Sequence, residues 1–146
     1  MLEQIKAWLD TTEPQPTTPC KEVAISTLLG EVMLADGHVS ANERQLAEKL
    51  LARLTKQTPE RVQELISHTK AQQTDAVSLF KYTSELKNLP IGEREDILYA
   101  LWRLAFSDHT LDIEEEALIR EVAELLYIPH GRFTWLKAQA QENNQT

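Results

Sequence analysis

The stretch Ala35-Asp36-Gly37-His38-Val39-Ser40-Ala41-Asn42-Glu43 returns 72 residues later as Ser107-Asp108-His109-Thr110-Leu111-Asp112-Ile113-Glu114-Glu115. Asp36 falls on Asp108, Val39 on Leu111, Ser40 on Asp112 and Glu43 on Glu115. The flanks keep the same step, since Ile25, Leu29, Val32, Leu46, Leu50 and Leu54 project onto Ile97, Leu101, Leu104, Leu118, Val122 and Leu126. Apolar residues recurring three and four apart mark the buried face of a helix. Each copy therefore reads as helix, turn, helix. The expected fold is all-α, a single-domain helical bundle with an internal duplicated helix-turn-helix unit.

Outside the two copies the helical period persists. Leu2, Ile5, Trp8 and Leu9 share one face, so residues 1–10 read as a short amphipathic helix. Residues 11–20 hold Pro14, Pro16 and Pro19 among threonines, a composition that resists helix and strand and reads as a linker. The folded domain is expected over residues 21–142, with about seven or eight helices in all. Ile25, Leu28, Leu29, Val32 and Met33 give its first helix a single core-facing stripe. Thr58-Pro59-Glu60 is a helix start, with a capping hydroxyl, proline at the first helical position and an acid at the positive end of the dipole. Another helix follows through Leu79, Phe80, Thr83 and Leu86 before Pro90. A short last one is expected at Phe133, Leu136 and Ala140, with a frayed tail from Gln141.

Composition narrows the function. The 146 residues carry 23 acids against 15 Lys and Arg, a formal charge of -8, which works against nucleic acid or an anionic lipid surface and suits cations or a basic protein partner. Cys20 is the only cysteine, so neither an intramolecular disulfide nor a cysteine-rich zinc site is available, which suits a reducing cytoplasm. No stretch is apolar for long enough to insert in a membrane. Phosphate loops, Gly-x-Ser-x-Gly and His-Glu-x-x-His are absent, and the cysteine has no evident histidine partner, so no catalytic residue is assigned and a non-enzymatic protein is expected.

The repeated loop invites a metal reading. Asp-Gly-x-aliphatic-x-x-x-Glu is the second half of a calcium-binding EF-hand loop, but the first half needs oxygen ligands where Val32 and Leu34, and then Leu104 and Phe106, stand. What remains in each copy is one acid at the end of a helix and one in the first turn of the next. Asp36 with Glu43, and Asp108 with Glu115, are the candidate metal ligands for a hard divalent cation. They pool if the two loops lie adjacent. The competing reading makes the same residues caps: Ser40-x-x-Glu43 is a capping box, Asp112-x-x-Glu115 its aspartate-led counterpart, and the aspartates shape turns. His38 and His109 occupy different places in the two copies, as loop histidines do. Trp102 and Trp135 lie among apolar positions and are expected in the core or an interface. Asp108, Asp112, Glu114, Glu115, Glu116, Glu121 and Glu124 crowd one segment against the single base Arg120, partly as charge that compensates a helix dipole.

The doubled Ala35-Asp36-Gly37-x-Val39-Ser40-x-x-Glu43, preceded by the amphipathic Ile25 to Leu34 helix and echoed from Asp108 to Glu115, resembles the TerB-like tellurite-resistance family over about residues 21–130. That family is also found as the N-terminal part of some membrane-anchored J-domain co-chaperones. The resemblance implies an all-helical bacterial cytoplasmic protein of stress response, with Asp36, Glu43, Asp108 and Glu115 as a metal site. The second copy departs from the pattern at His109 and Thr110, and no His-Pro-Asp occurs, so J-domain activity is not implied. Two functions follow as expectations. One is a divalent-cation-binding or sensing module. The other is a co-chaperone-like interaction scaffold whose acids are only caps, with a basic or membrane-associated protein partner, or a second copy of the chain as a homodimer.

Overall fold

The structure is a computed structural model and describes residues 20–35, 39–71, 76–107 and 111–144. The amphipathic helix and the linker expected over residues 1–19 lie outside them. Within the described residues the chain is helical, without strands: α1 Lys21–Leu34, α2 Ala41–Thr55, α3 Pro59–Ala71, α4 Ala76–Leu86, α5 Ile91–Ala105, α6 Ile113–Leu125 and α7 His130–Asn144. This is the expected all-α architecture, seven helices in one compact body.

The two expected hairpins are α1–α2 and α5–α6. Gln57, just past α2, donates from Nε2 to Glu22 Oε1 in the first turn of α1 at 2.7 Å, so the ends of that hairpin meet. Arg94, in the first turn of α5, closes the other. Its Nη1 donates to the Leu126 carbonyl at 2.7 Å and its Nε to the Leu89 carbonyl at 2.9 Å. The hairpins start side by side, because Lys21 Nζ and Glu93 Oε2, each in a first helical turn, are 3.6 Å apart. Burial matches across the first helices, where Ile25 and Ile97, Leu29 and Leu101, and Val32 and Leu104 are all buried, but not across the second, where Leu50 and Leu54 are only partly buried and Val122 and Leu126 fully so.

One expectation needs correcting at α1. The single stripe becomes near-complete burial, with every residue from Ala24 to Gly30 inside, Ser26 and Thr27 among them. Their hydroxyls donate to the Val23 carbonyl at 2.9 and 2.7 Å, which satisfies them locally and removes most of the cost of burying a polar group. α1 is thus the axis of the molecule and packs on α2, α3, α4, α5 and α6.

α7 is also longer than expected. It runs through Gln141 to Asn144, past the tail read as frayed, because Phe133, Leu136 and Ala140 anchor it along α5. Trp102 is fully buried there, its ring stacked on Phe106 at 5.8 Å and tilted against Phe133 at 5.1 Å. Trp135 is instead half exposed under the Arg132 guanidinium, 4.4 Å from its ring centroid. Arg132 reaches across to α5 and bridges Glu95, Nη2 to Oε1 at 2.6 Å. That hydrogen bond, with burial opposing it, holds the guanidinium above its ordinary pKa, so this bridge keeps its positive partner at every pH the fold experiences.

Candidate functional site

Two regions carry chemistry: the first turns of α2 and α6, and a groove where α1, α2 and α5 meet.

Ser40 caps α2 as the spacing predicts, its Oγ accepting the Glu43 amide at 3.1 Å. The serine hydroxyl also lies 3.4 Å from Glu43 Oε1. Asp112 caps α6 differently from the expectation. Its Oδ1 accepts the amide of Glu114 at 3.0 Å, one residue before Glu115. Both the second and third amides of a helix face its cap, so residue spacing alone does not choose between them. Glu43 and Glu115 are the third residues of their helices, and they are 5% and 4% exposed. A capping-box glutamate needs no such burial, since its carboxylate works equally well at the surface.

Asp36 and Asp108, the other two expected ligands, lie outside the described residues, as do His38 and His109. Both hairpins begin at the Lys21–Glu93 bridge, and α1 and α5 run 14 and 15 residues from it. The last residues of the two helices, Leu34 and Ala105, therefore lie about 20 Å along each helix from that bridge. Among the described residues no three His, Cys, Asp or Glu side chains form a metal-holding group. The acid-rich face of α6 is resolved into parts: Glu116 pairs with Arg120 at 3.3 Å and Lys137 at 3.1 Å, Glu115 is buried, and Glu114, Glu121 and Glu124 face solvent.

The second region had no counterpart in the sequence reading. A groove of about 750 Å³ opens between α1, α2 and α5, floored by Ile25, Leu46, Leu50, Leu54, Ile97 and Ala100. Lys21, Lys49, Arg53, Lys56 and Arg103 line it, against only Glu93 and Asp96. The surplus of positive charge inverts the balance of the whole chain. The local signal is Lys49, Arg53 and Lys56 at i, i+4 and i+7 beside Leu46, Leu50 and Leu54, which the net acidity of the whole chain masks.

The fold and the two first-turn carboxylates define a helical, two-hairpin domain. The family model described as "Tellurite resistance protein TerB" matches residues 22–138, and the chain belongs to that family. No curated protein and no solved structure matches the chain. The family match covers five of the seven helices, α2 to α6, in full and most of α1 and α7, so the whole described body, groove included, falls within the family domain apart from its edges.

Proposed function

We propose that the chain is a tellurite-resistance-type, non-enzymatic module whose buried glutamates Glu43 and Glu115 serve as ligands for a divalent cation, with Asp36 and Asp108 completing the donor set. On this reading the two hairpins are copies of one unit, and the setting is the bacterial cytoplasm. The burial of both carboxylates carries it. Taking an ionised carboxylate out of water is expensive, and native proteins do so where a cation or a set of donors meets the charge. Finding a carboxylate buried twice, as the third residue of the second helix in each of two hairpins, supports a shared purpose beyond capping. Family membership supports the tellurite-resistance type. Carboxylates alone make a hard donor set, which suits calcium, magnesium or manganese better than zinc.

The test is calorimetry on the metal-stripped chain titrated with calcium, magnesium, manganese and zinc, together with thermal melts. One of the hard ions is expected to give a saturable heat. At about a hundredfold excess over Kd it is expected to stabilise the fold by about 2.7 kcal/mol. Asp36→Asn with Asp108→Asn keeps turn-compatible side chains but removes the charge a cation needs, and is expected to abolish both effects. Glu43→Gln with Glu115→Gln is expected to do the same. No saturable heat with any ion would return the four acids to capping and turn formation.

The interaction-scaffold reading has its own support in the basic groove, and does not depend on metal.

A further inference from the structure

We propose that the groove between α1, α2 and α5 receives an amphipathic helix of a partner protein whose apolar stripe is flanked by acidic residues. The first support is an apolar surface the core leaves over. α2 gives Ala47 and Leu51 to the interior, fully buried, while Leu46, Leu50 and Leu54 are only half buried and floor the groove instead. Spaced i, i+4 and i+8, these leucines run about 12 Å along α2, more than two helical turns. A helix laid in that furrow meets them with its own i, i+3, i+4 and i+7 positions, the usual grammar of helix-in-groove recognition.

Charge then selects the sign of the partner. Lys49 and Arg53 step along the same helix beside the leucines, Lys56 follows as its C-cap, and Arg103 lines the groove from α5. Among the described residues none of these four makes an ion pair, although Arg44, Arg61, Arg120, Arg132 and Lys137 all do. The Arg103 Nε is buried without a hydrogen-bond acceptor, so no carboxylate within the described fold is hydrogen-bonded at that nitrogen. Lys49 and Arg53 are about 6 Å apart along α2, with Lys56 beyond its end and Arg103 on α5, so the cations do not converge on one point. A compact anion such as phosphate would meet one or two of them, whereas acids at successive turns of a helix meet them all. Nucleic acid fits poorly, because the chain as a whole carries a charge of -8.

The test uses the full chain and a synthetic, fluorescein-labelled peptide of about five helical turns, with leucines on one face and glutamates flanking them. Two controls replace the glutamates by lysine or the leucines by serine. Anisotropy is expected to show binding of the Leu/Glu peptide and at least about tenfold weaker binding of either control, about 1.4 kcal/mol. The exposed pair Lys49→Glu with Arg53→Glu is expected to invert the preference, so that the lysine peptide binds and the glutamate peptide does not. Its circular dichroism melt should match the unsubstituted chain, which separates a lost site from a lost fold. Amide shifts on peptide addition should centre on α1, α2 and α5. Equal affinities for the three peptides, or indifference to the charge reversal, would overturn the proposal. So would groove amides that shift in the free chain on Glu3→Lys with Asp10→Lys, which would make the chain's own first residues the occupant. Sedimentation showing self-association that the charge reversal abolishes would assign the groove to a second copy and overturn it as well.

Discussion

Ser40 and Asp112 stand 72 residues apart, begin the second helix of each hairpin, and spend their oxygens on different amides. The consequence falls on the glutamates. Glu43 is drawn to its cap, with the serine hydroxyl 3.4 Å from its carboxylate, while the Asp112 carboxylate binds the neighbouring Glu114 amide. Removing either cap leaves a first-turn amide without its acceptor. Ser40→Ala and Asp112→Ala are each expected to cost about 1 kcal/mol, read as a lowered urea midpoint with an unchanged slope. Asp112→Ala should cost the more at low salt, because it also removes a negative charge from the positive end of α6. A Ser40→Ala midpoint equal to that of the unsubstituted chain would show that the 3.1 Å bond contributes nothing net. The cap at Ser40 was legible because a capping box is written in four consecutive residues. The burial of Glu43 and Glu115 was not, since it depends on what packs over the first turn from elsewhere in the chain.

At the scale of the element, the end of α6 shows how a helix is stopped by something other than the residue that seems to stop it. Pro129 marks the boundary in the sequence, yet the chain has already turned at Tyr127, whose φ of 56° is left-handed. The Ile128 amide bonds back to the Ala123 carbonyl at 2.9 Å and the Tyr127 amide to the Glu124 carbonyl at 3.1 Å, the paired bonds of a Schellman motif. Ile128 is buried, and that anchors the turn despite the strain of a non-glycine residue in this conformation. Arg94 completes the stop from outside, with Nη1 on the Leu126 carbonyl at 2.7 Å. Arg94→Met keeps most of the aliphatic stem and removes the donors, so it is expected to cost about 2 kcal/mol, the usual worth of a charged hydrogen bond. Amide exchange should accelerate first in the last turn of α6 and at Leu89, Lys87 and their neighbours. Uniform acceleration over all seven helices would mean that Arg94 acts on global stability and does not hold this joint. No local pattern announces Arg94, because its three acceptors come from two segments, one of them more than 30 residues away.

For the molecule as a whole, the question is whether two hairpins that look alike fold as two units or as one. The sequence displays them as separable copies, each with its own apolar stripe and turn. It conceals the asymmetry between their first helices. α5 turns one side to α7 and others to α1, α2 and α6, whereas α1 is enclosed by α2, α3, α4, α5 and α6. A stripe analysis assigns α1 one buried face because Ser26 and Thr27 interrupt the apolar pattern, and it cannot see that their hydroxyls are satisfied within the helix. With α1 at the axis, neither hairpin keeps its buried face when the other leaves. Leu29, 1% exposed at the middle of α1, is the place to test this. Leu29→Ala is expected to cost about 3 kcal/mol, within the range for truncating a buried leucine. Hydrogen exchange should then show protection falling in α2 and in α6 by the same free energy, since both hairpins open through one global transition. If α6 kept its protection while α2 lost it, the hairpins would be independent units, and α1 would belong to the first of them and not to the molecule.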